Sequence, residues 1–168
     1  MLRLCVPLLV AALTTGNMRA TDDMETLTLA VHNRERSRVG VEALRWDPKL
    51  ASDAIRWARH LARIGYLRHS VDAPGDPDPE GENLWAGTAG YYSIAAMSRL
   101  WASERSNYKP GVFPNSSKTG NLDDVGHYTQ MVWRSTGRVG CGLVRGASDD
   151  FFVCRYGEGG NVMGEKPF

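Results

Sequence analysis

The chain has 168 residues, of which 42% are hydrophobic, with 20 Lys and Arg side chains against 19 Asp and Glu. This length suits one domain with its own hydrophobic core, and the composition is that of an ordinary globular protein. The near-neutral charge gives no electrostatic reason to expect nucleic acid as a partner.

The N-terminal segment MLRLCVPLLVAALTTGNMRA has the pattern of an export signal. Arg3 supplies a positive start, and the apolar run from Leu4 to Leu13 is about half the roughly 20 residues that a membrane span needs. Cleavage is expected after Gly16 or Ala20, and the alternative is a segment that stays on the chain. We therefore expect a secreted or periplasmic protein that does not span the membrane once the signal is removed.

With residues 1–20 assigned to the signal peptide, residues 21–168 are expected to form a single domain. Cys5 is lost with the signal, which leaves Cys141 and Cys154 in an oxidising compartment. Both lie in strand-like segments, VGCGLV and FFVCRY, which the turn-rich RGASDD joins. A hairpin would bring them face to face, and a disulfide there would stabilise the fold by roughly 3 kcal/mol. The alternative is two free buried thiols.

Two amphipathic helices are predicted in the first part of the mature chain. The first covers residues 21–40, with acidic residues early, arginines late and Gly40 at its end. The second has Asp47 as its N-cap, Pro48 in its first position and Gly65 at its C-terminus. The apolar residues that recur at helical spacing and form its buried face are expected to be Leu50, Ala54, Trp57, Ala58 and Leu61.

A third helix is predicted after an irregular stretch. Pro, Gly and Asp residues exclude regular structure from Asp72 to Glu80. Ser93 is the candidate cap of the helix that follows, and its stripe at i, i+3, i+4 and i+7 consists of Met97, Leu100, Trp101 and Glu104. Glu104 is therefore expected on an apolar face, where its carboxylate must find a partner or be protonated.

The last part of the chain combines a polar loop, a short helix and two strands. The loop from Lys109 to Val125 contains a glycosylation sequon at Asn115. Asp123 or Asp124 is expected to cap the short helix that carries His127. Because helices come first and strands late, the chain is expected to have an α+β fold.

Four residues, His69, Glu82, Glu104 and His127, lie at the edges of predicted elements and not in solvated runs of charge. Each also has a purely structural explanation. His127 could be satisfied by backbone groups at a helix start, Glu82 could accept backbone N–H groups in a turn, and Glu104 could belong to a buried ion pair.

Several motifs resemble those of the CAP superfamily, which includes cysteine-rich secretory proteins, antigen 5 and the plant group-one pathogenesis-related proteins. GHYTQMVWRST matches the first family signature throughout, and FFVCRYGEGGNV matches the second at all positions but one. GENLW, HNRER, LRWDPKLA and GEKPF are also similar to the family, so that the resemblance extends from Met24 to Phe168. It implies a three-layer α–β–α sandwich with a small central antiparallel sheet, and it places the family's disulfide on Cys141 and Cys154.

The resemblance also implies a cleft in which His69, Glu82, Glu104 and His127 converge. In many members the two histidines bind a divalent cation, often zinc, so His69 and His127 are the expected metal ligands. A site with only two protein ligands should bind its metal weakly, and the carboxylates would orient the rings. Protons compete with the metal, so acidification should release it.

One position departs from the family pattern. Glu158 stands where the second signature usually has Pro. In some plant relatives a C-terminal peptide that starts there is released as a signal, and the changed residue argues against such release here.

Three functions compete at this point. The first, which we favour, is a secreted module that binds a lipid, a sterol-like molecule or a secreted or surface protein in the cleft. The second is a metal- or His/Glu-dependent peptidase, with Glu82, Glu104 and His127 as candidate catalytic residues and Ser70 or Thr129 as conceivable nucleophiles. The third is a structural or defensive protein in which the four residues only stiffen the fold.

Overall fold

The structure, a computed structural model, describes residues 15–71, 75 and 79–168, and it describes no side chain among residues 15–22. In chain order the helices and strands are α1 (Thr15–Arg38), β1 (Arg45–Trp46), α2 (Pro48–Ile64), β2 (Gly81–Thr88), α3 (Ile94–Ser103), α4 (Gly126–Met131), β3 (Arg138–Arg145) and β4 (Asp149–Gly157). Two short 3₁₀ turns, Glu104–Asn107 and Leu122–Asp124, lie between α3 and α4.

Helix α1 begins at Thr15, within the segment predicted as the export signal. Residues 1–14 lie outside the described residues, so removal of the signal stays a prediction. In the part of the chain that the structure describes, none of the helices combines the length and the hydropathy that a membrane span requires.

The four strands form one sheet in the order β1-β3-β4-β2. β4 pairs antiparallel with both β3 and β2, and the two-residue β1 pairs parallel with the start of β3. The predicted α+β class is confirmed. Strand β2 was not foreseen, because GENLWAGT contains one β-branched residue, at its last position, and its extended form depends on pairing with β4.

Helices cover both faces of the sheet and produce three layers. One face buries Phe151 and Val153 of β4 against Ala54, Ala58 and Leu61 of α2. The other face packs against α3 and α4 around a larger core, with Met97, Trp101, Tyr128, Met131, Phe152, Cys154 and Tyr156. The alternation of β4 side chains between the two cores therefore establishes the α–β–α sandwich.

The second helix forms as predicted. The Asp47 carboxylate accepts hydrogen bonds from the backbone N–H groups of Lys49 (2.8 Å) and Leu50 (3.3 Å), and Gly65 ends the helix with φ +77°. α2 can approach β3 closely because Gly140 has no side chain. A Cβ at this position would overlap the backbone of Ala51.

The third helix begins at the predicted cap, where the Ser93 hydroxyl accepts the N–H of Ala96 at 3.2 Å. Met97 and Trp101 are buried, but Leu100 is 46% exposed, so its place on the apolar stripe was wrong. The helix ends at Ser103 and buries the residue pairs 97–98 and 101–102. Glu104 begins a 3₁₀ turn, so its environment is set by that turn and not by the predicted helical stripe.

The closing strands form the predicted hairpin. Cys141 and Cys154 are directly opposite each other and form a disulfide, with their Cα atoms 4.1 Å apart. The alternative of two free thiols is therefore excluded.

Candidate functional site

His69 and Glu82 form the first of two His–Glu pairs. Glu82 is the second residue of β2, and His69 lies in the irregular segment after α2. Nδ1 of His69 donates to Oε1 of Glu82 at 2.6 Å, and the N–H of Ser70 donates to the same oxygen at 3.1 Å. The hydrogen bond to Glu82 raises the pKa of the His69 imidazole, and partial burial opposes this effect.

Arg155 supports Glu82 from the neighbouring strand. The two residues are cross-strand partners in the register of β2 and β4. Nη2 of Arg155 lies 3.1 Å from Oε2 of Glu82, in an ion pair that lacks hydrogen-bond geometry. Because the Glu82 side chain is only 6% exposed, this guanidinium compensates a negative charge that is almost removed from water.

His127 and Glu104 form the second pair. Nδ1 of His127 donates to Oε1 of Glu104 at 2.6 Å. The other carboxylate oxygen accepts the backbone N–H groups of His127 (3.0 Å) and Tyr128 (3.1 Å). Glu104 therefore caps the N-terminus of α4 from another element, which satisfies the carboxylate that was expected to need a partner.

This cap corrects the prediction for the start of α4. Val125 precedes the helix and provides no side-chain cap, and Asp123 and Asp124 belong to the preceding 3₁₀ turn. The Asp124 carboxylate accepts the hydroxyl of Thr119 at 2.5 Å. Local spacing predicted that an aspartate would cap α4. Instead the cap is Glu104, the residue that directly follows α3.

The His127 ring is also held by stacking. It lies over Trp101 with ring centroids 5.8 Å apart and an interplanar angle of 16°. Trp101 in turn stacks on Phe152 of β4 at 5.1 Å and 11°. The orientation of the imidazole is thus set by the hydrophobic core on one side and by Glu104 on the other.

Helix α1 holds the other end of α4 through Arg36. Its buried guanidinium donates to the carbonyls of Met131 (3.1 Å), Trp133 (2.9 Å) and Thr136 (2.8 Å). Burial lowers the pKa of Arg36 to about 10. These carbonyls include the unpaired acceptors at the C-terminus of α4, so the helix that carries His127 is fixed at both ends.

A buried chain of hydrogen bonds connects the site to α1. Asn83 donates to the His127 carbonyl at 3.1 Å and to the Tyr156 hydroxyl at 3.0 Å. The Tyr156 hydroxyl lies 2.8 Å from Nε2 of His32, whose Nδ1 lies 2.8 Å from the Thr28 carbonyl. Because burial lowers the pKa of His32 to about 4, the ring is neutral at physiological pH, donates from Nδ1 and accepts from the tyrosine.

Sequence reasoning missed these supporting residues. His32 and Arg36 belong to the HNRER motif, which was used for the resemblance but given no role, and they lie four residues apart on one face of α1. Their helical spacing was the signal that could have identified them as a buried pair.

The two conceivable nucleophiles have other roles. The buried Thr129 hydroxyl lies 2.6 Å from Oδ1 of Asn161 and 3.1 Å from the carbonyl of Val125. Ser70 contacts the first pair through its backbone N–H. Neither residue is hydrogen bonded to a histidine among the described residues.

Glu158 has a backbone conformation that proline cannot adopt. Its φ is +58°, whereas the proline ring fixes φ near −65°. Its carboxylate contacts Arg138 at 3.3 Å and accepts the N–H of Gly137 at 3.2 Å. A proline at this position would therefore require a different backbone conformation.

The donor set of the two pairs fits a metal ligated by imidazole. Both rings donate from Nδ1 to a carboxylate, so in the neutral ring Nε2 is the atom with a free lone pair. Within the described residues no group hydrogen bonds to either Nε2. The same part of the chain contains no group of three or more His, Cys, Asp or Glu side chains arranged for a metal ion. The structure thus shows two pairs, and a site shared by both stays a prediction.

Comparisons with known proteins agree on one family. The sequence profile described as CAP, cysteine-rich secretory protein family, matches residues 29–156. The chain is 40% identical over 141 residues to pathogenesis-related leaf protein 4 of Solanum lycopersicum, which covers 83% of this chain and 80% of the relative. It is 36% identical to pathogenesis-related protein 1 of Arabidopsis thaliana, with the same two coverages.

The fold agrees as well. The crystal structure of NaASP2 with Zn²⁺ superposes with a TM-score of 0.72 at 23% identity, and covers 88% of this chain and 85% of that protein.

Proposed function

The chain belongs to the cysteine-rich secretory protein (CAP) family, and on that premise we propose that it is an extracellular binding protein. Its ligand is a small lipid, a sterol-like molecule or a secreted or surface protein, held in a cleft bordered by His69, Glu82, Glu104 and His127. The family relationship supports the extracellular location and the binding role.

One observation carries the assignment of the binding site, namely that two histidines have equivalent carboxylate partners at 2.6 Å. Carboxylates that hold Nδ1–H fix the tautomer and the orientation of a ring that binds metal through Nε2. His69 and His127 would hold a weakly bound divalent cation, of which zinc suits imidazole best. When bound, the cation would supply positive charge and open coordination positions for polar groups of the ligand.

The peptidase alternative has less support. The Glu104 carboxylate already accepts two backbone N–H groups in addition to His127, so its role is to cap α4 and position the ring. Glu82 is engaged by His69, Ser70 and Arg155. A general base needs a free lone pair that can reach the substrate. The carboxylate oxygen that accepts no hydrogen bond, Oε2 of Glu82, is buried against the Arg155 guanidinium and is not available to a substrate.

The experiment that tests the proposal is a zinc titration of the exported, chelator-treated protein, followed by sterol and fatty-acid titrations with and without zinc. His69→Ala and His127→Ala should each abolish zinc binding, and Glu82→Gln should weaken it about tenfold, as for other groups that orient metal ligands. His60→Ala is the control, because His60 stacks on Trp57 and belongs to neither His–Glu pair.

Two outcomes would contradict this function. Equal zinc binding by all variants would remove the two histidines as ligands. A protein with no saturable sterol, fatty-acid or zinc binding, whose only response to His69→Ala is a lower melting temperature, would favour the structural role.

A further inference from the structure

A groove rich in arginine lies between the C-terminal half of α2 and the end of β3. It has a volume of about 780 Å³, which lies within the roughly 300–1,000 Å³ of ordinary binding pockets. Four of its eight lining residues are arginines, namely Arg56, Arg59, Arg63 and Arg145, and the others are Ala, Gly and Val. We call this feature the arginine groove.

The side chains of the arginine groove are accessible from solution. All four arginines are exposed, and the side chains of Arg56 and Arg145 are 69% and 65% exposed. Arg56, Arg59 and Arg63 are three and four positions apart in α2, so they lie on one face of the helix. A dissolved ligand can therefore contact the guanidinium groups directly.

Two of the arginines are held in place by carboxylates. Asp150, whose side chain is only 4% exposed, accepts hydrogen bonds from Nε and Nη2 of Arg145 at 2.9 and 3.4 Å. The same carboxylate accepts the N–H of Gly90 at 2.6 Å, in the turn after β2. Arg56 pairs with Asp53 one turn earlier in α2. These ion pairs orient the two guanidinium groups and leave some of their five N–H donors for a ligand.

The other two arginines carry uncompensated charge. Arg59 and Arg63 have no acidic partner in the described part of the chain. Asp53 is shared between Arg56 and Lys49, whose Nζ lies 3.0 Å from it. The last turn of a helix favours a cation, which explains Arg63 but not Arg59 one turn earlier. The groove therefore has a local excess of positive charge in a chain that is near neutral as a whole.

The lining also restricts the chemistry of a ligand. Its side chains offer N–H donors and small apolar groups but no acceptor, since none of them is Asp, Glu, Asn, Gln, Ser or Thr. A matching ligand presents negative charge and oxygen acceptors, with few donors of its own. Phosphate groups have this chemistry, and one guanidinium can hold two of their oxygens. An acidic peptide matches less well, because its backbone N–H groups would need acceptors.

The spacing of the arginines favours a ligand with more than one phosphate. Arg56 and Arg63 are seven positions apart, which corresponds to about 10 Å along the helix axis. Arg145 approaches from a different element, at the end of β3. A single orthophosphate is too small to contact all of these guanidinium groups, whereas an anion with several phosphates matches their distribution.

We propose that the arginine groove binds a ligand that carries two or more phosphate groups, either a free oligophosphate or a phospholipid headgroup. Arg59 and Arg63 supply the uncompensated charge, and Arg56 and Arg145 supply donors from oriented side chains. The groove shares no residue with the two His–Glu pairs. The proposal therefore does not rest on the cleft, and the two can fail separately.

The test is a calorimetric titration of the metal-free, disulfide-bonded protein with tripolyphosphate, after any chelator has been removed. We expect saturable binding at one site, with NMR shifts of the Nε–H signals of Arg59 and Arg63. Added salt should weaken the binding, because the contacts are made by exposed charges. Orthophosphate should bind about tenfold more weakly, since it reaches fewer guanidinium groups. Hexaglutamate is titrated in parallel as an anion without phosphate.

Two double variants that remove the same number of charges provide the matched control. Arg59→Gln with Arg63→Gln should weaken tripolyphosphate binding by about tenfold. Arg34→Gln with Arg99→Gln replaces two exposed arginines of a different groove, between α1 and α3, and should leave the affinity unchanged. Arg59→Lys with Arg63→Lys keeps the charge but loses the planar fork, so its affinity should be intermediate.

Vesicles distinguish the two sources of phosphate. The protein is sedimented with phosphatidylcholine vesicles that contain or lack cardiolipin, whose headgroup carries two phosphates. Binding that requires cardiolipin and is displaced by tripolyphosphate assigns the ligand to a lipid headgroup. Tripolyphosphate binding without cardiolipin binding assigns it to a soluble oligophosphate.

Three results would overturn the proposal. The first is a failure of tripolyphosphate to bind saturably. The second is equal weakening by the two Arg→Gln double variants, which would show that net charge and not the groove attracts the anion. The third is hexaglutamate binding as tight as that of tripolyphosphate, which would show that the groove does not select phosphate.

Discussion

At the scale of single residues, position in the fold decides what each histidine can do. His32 and His127 differ by their partners: one is buried between a carbonyl and a tyrosine hydroxyl, and the other has a carboxylate on Nδ1. The first is therefore a neutral structural residue, and the second presents Nε2 to its surroundings. Residue type alone does not distinguish these two roles.

His69 provides a pH-dependent prediction. The pKa of the imidazole is raised from its ordinary value of 6.5 mainly by the hydrogen bond to Glu82. The protonated ring therefore stabilises the fold, with its full effect below about pH 6.5 and none once the pH has risen through the raised pKa. In Glu82→Gln the pKa of His69 should fall, which an imidazole NMR titration in the presence of a chelator measures.

An unchanged pKa of His69 in Glu82→Gln would show that the carboxylate does not control this ring.

At the scale of elements, α4 depends on side chains from distant parts of the chain. Glu104 supplies the acceptor at its N-terminus and Arg36 the donors at its C-terminus. A helix of six residues is too short to be stable alone, so these two contacts and the core position it.

Removal of the cap tests this dependence. Glu104→Ala leaves two backbone N–H groups without their acceptor, and the free energy of unfolding should fall by about 1–2 kcal/mol. Chemical denaturation measures the loss, and Asp123→Ala is the matched control because Asp123 was the capping residue suggested by local sequence. If Asp123→Ala costs as much as Glu104→Ala, the assignment of the cap to Glu104 is wrong.

At the scale of the whole molecule, the disulfide lies in the middle of the sheet around which the helical layers pack. The disulfide joins the two central strands, β3 and β4. Glu82 lies on β2, the outer strand that pairs with β4. The disulfide-bonded hairpin therefore also positions the strand that carries Glu82.

The disulfide gives a prediction for global stability. Its two cysteines are separated by 13 positions, and removal of such a cross-link should lower the free energy of unfolding by roughly 3 kcal/mol. The measurement compares urea unfolding of the wild type with that of a Cys141→Ala, Cys154→Ala double variant, each with and without reductant. Reductant should lower the stability of the wild type only. Equal stability of the wild type and the double variant without reductant would contradict the stabilising role of the disulfide.

The sequence by itself determined those features whose causes are local in the chain. Asp47, Pro48 and Gly65 bound α2 because caps act on their own helix end, and the turn between Cys141 and Cys154 predicts a hairpin and its disulfide. The two signatures identified the family before any geometry was known.

Only the tertiary structure decided features that depend on distant partners. β2 is extended because β4 pairs with it, and α4 is capped because α3 brings Glu104 to its start. The pattern of residues along the chain reflects the properties of sequence neighbours. Strand pairing and the capping of a helix by a distant side chain depend on groups that meet only when the chain has folded.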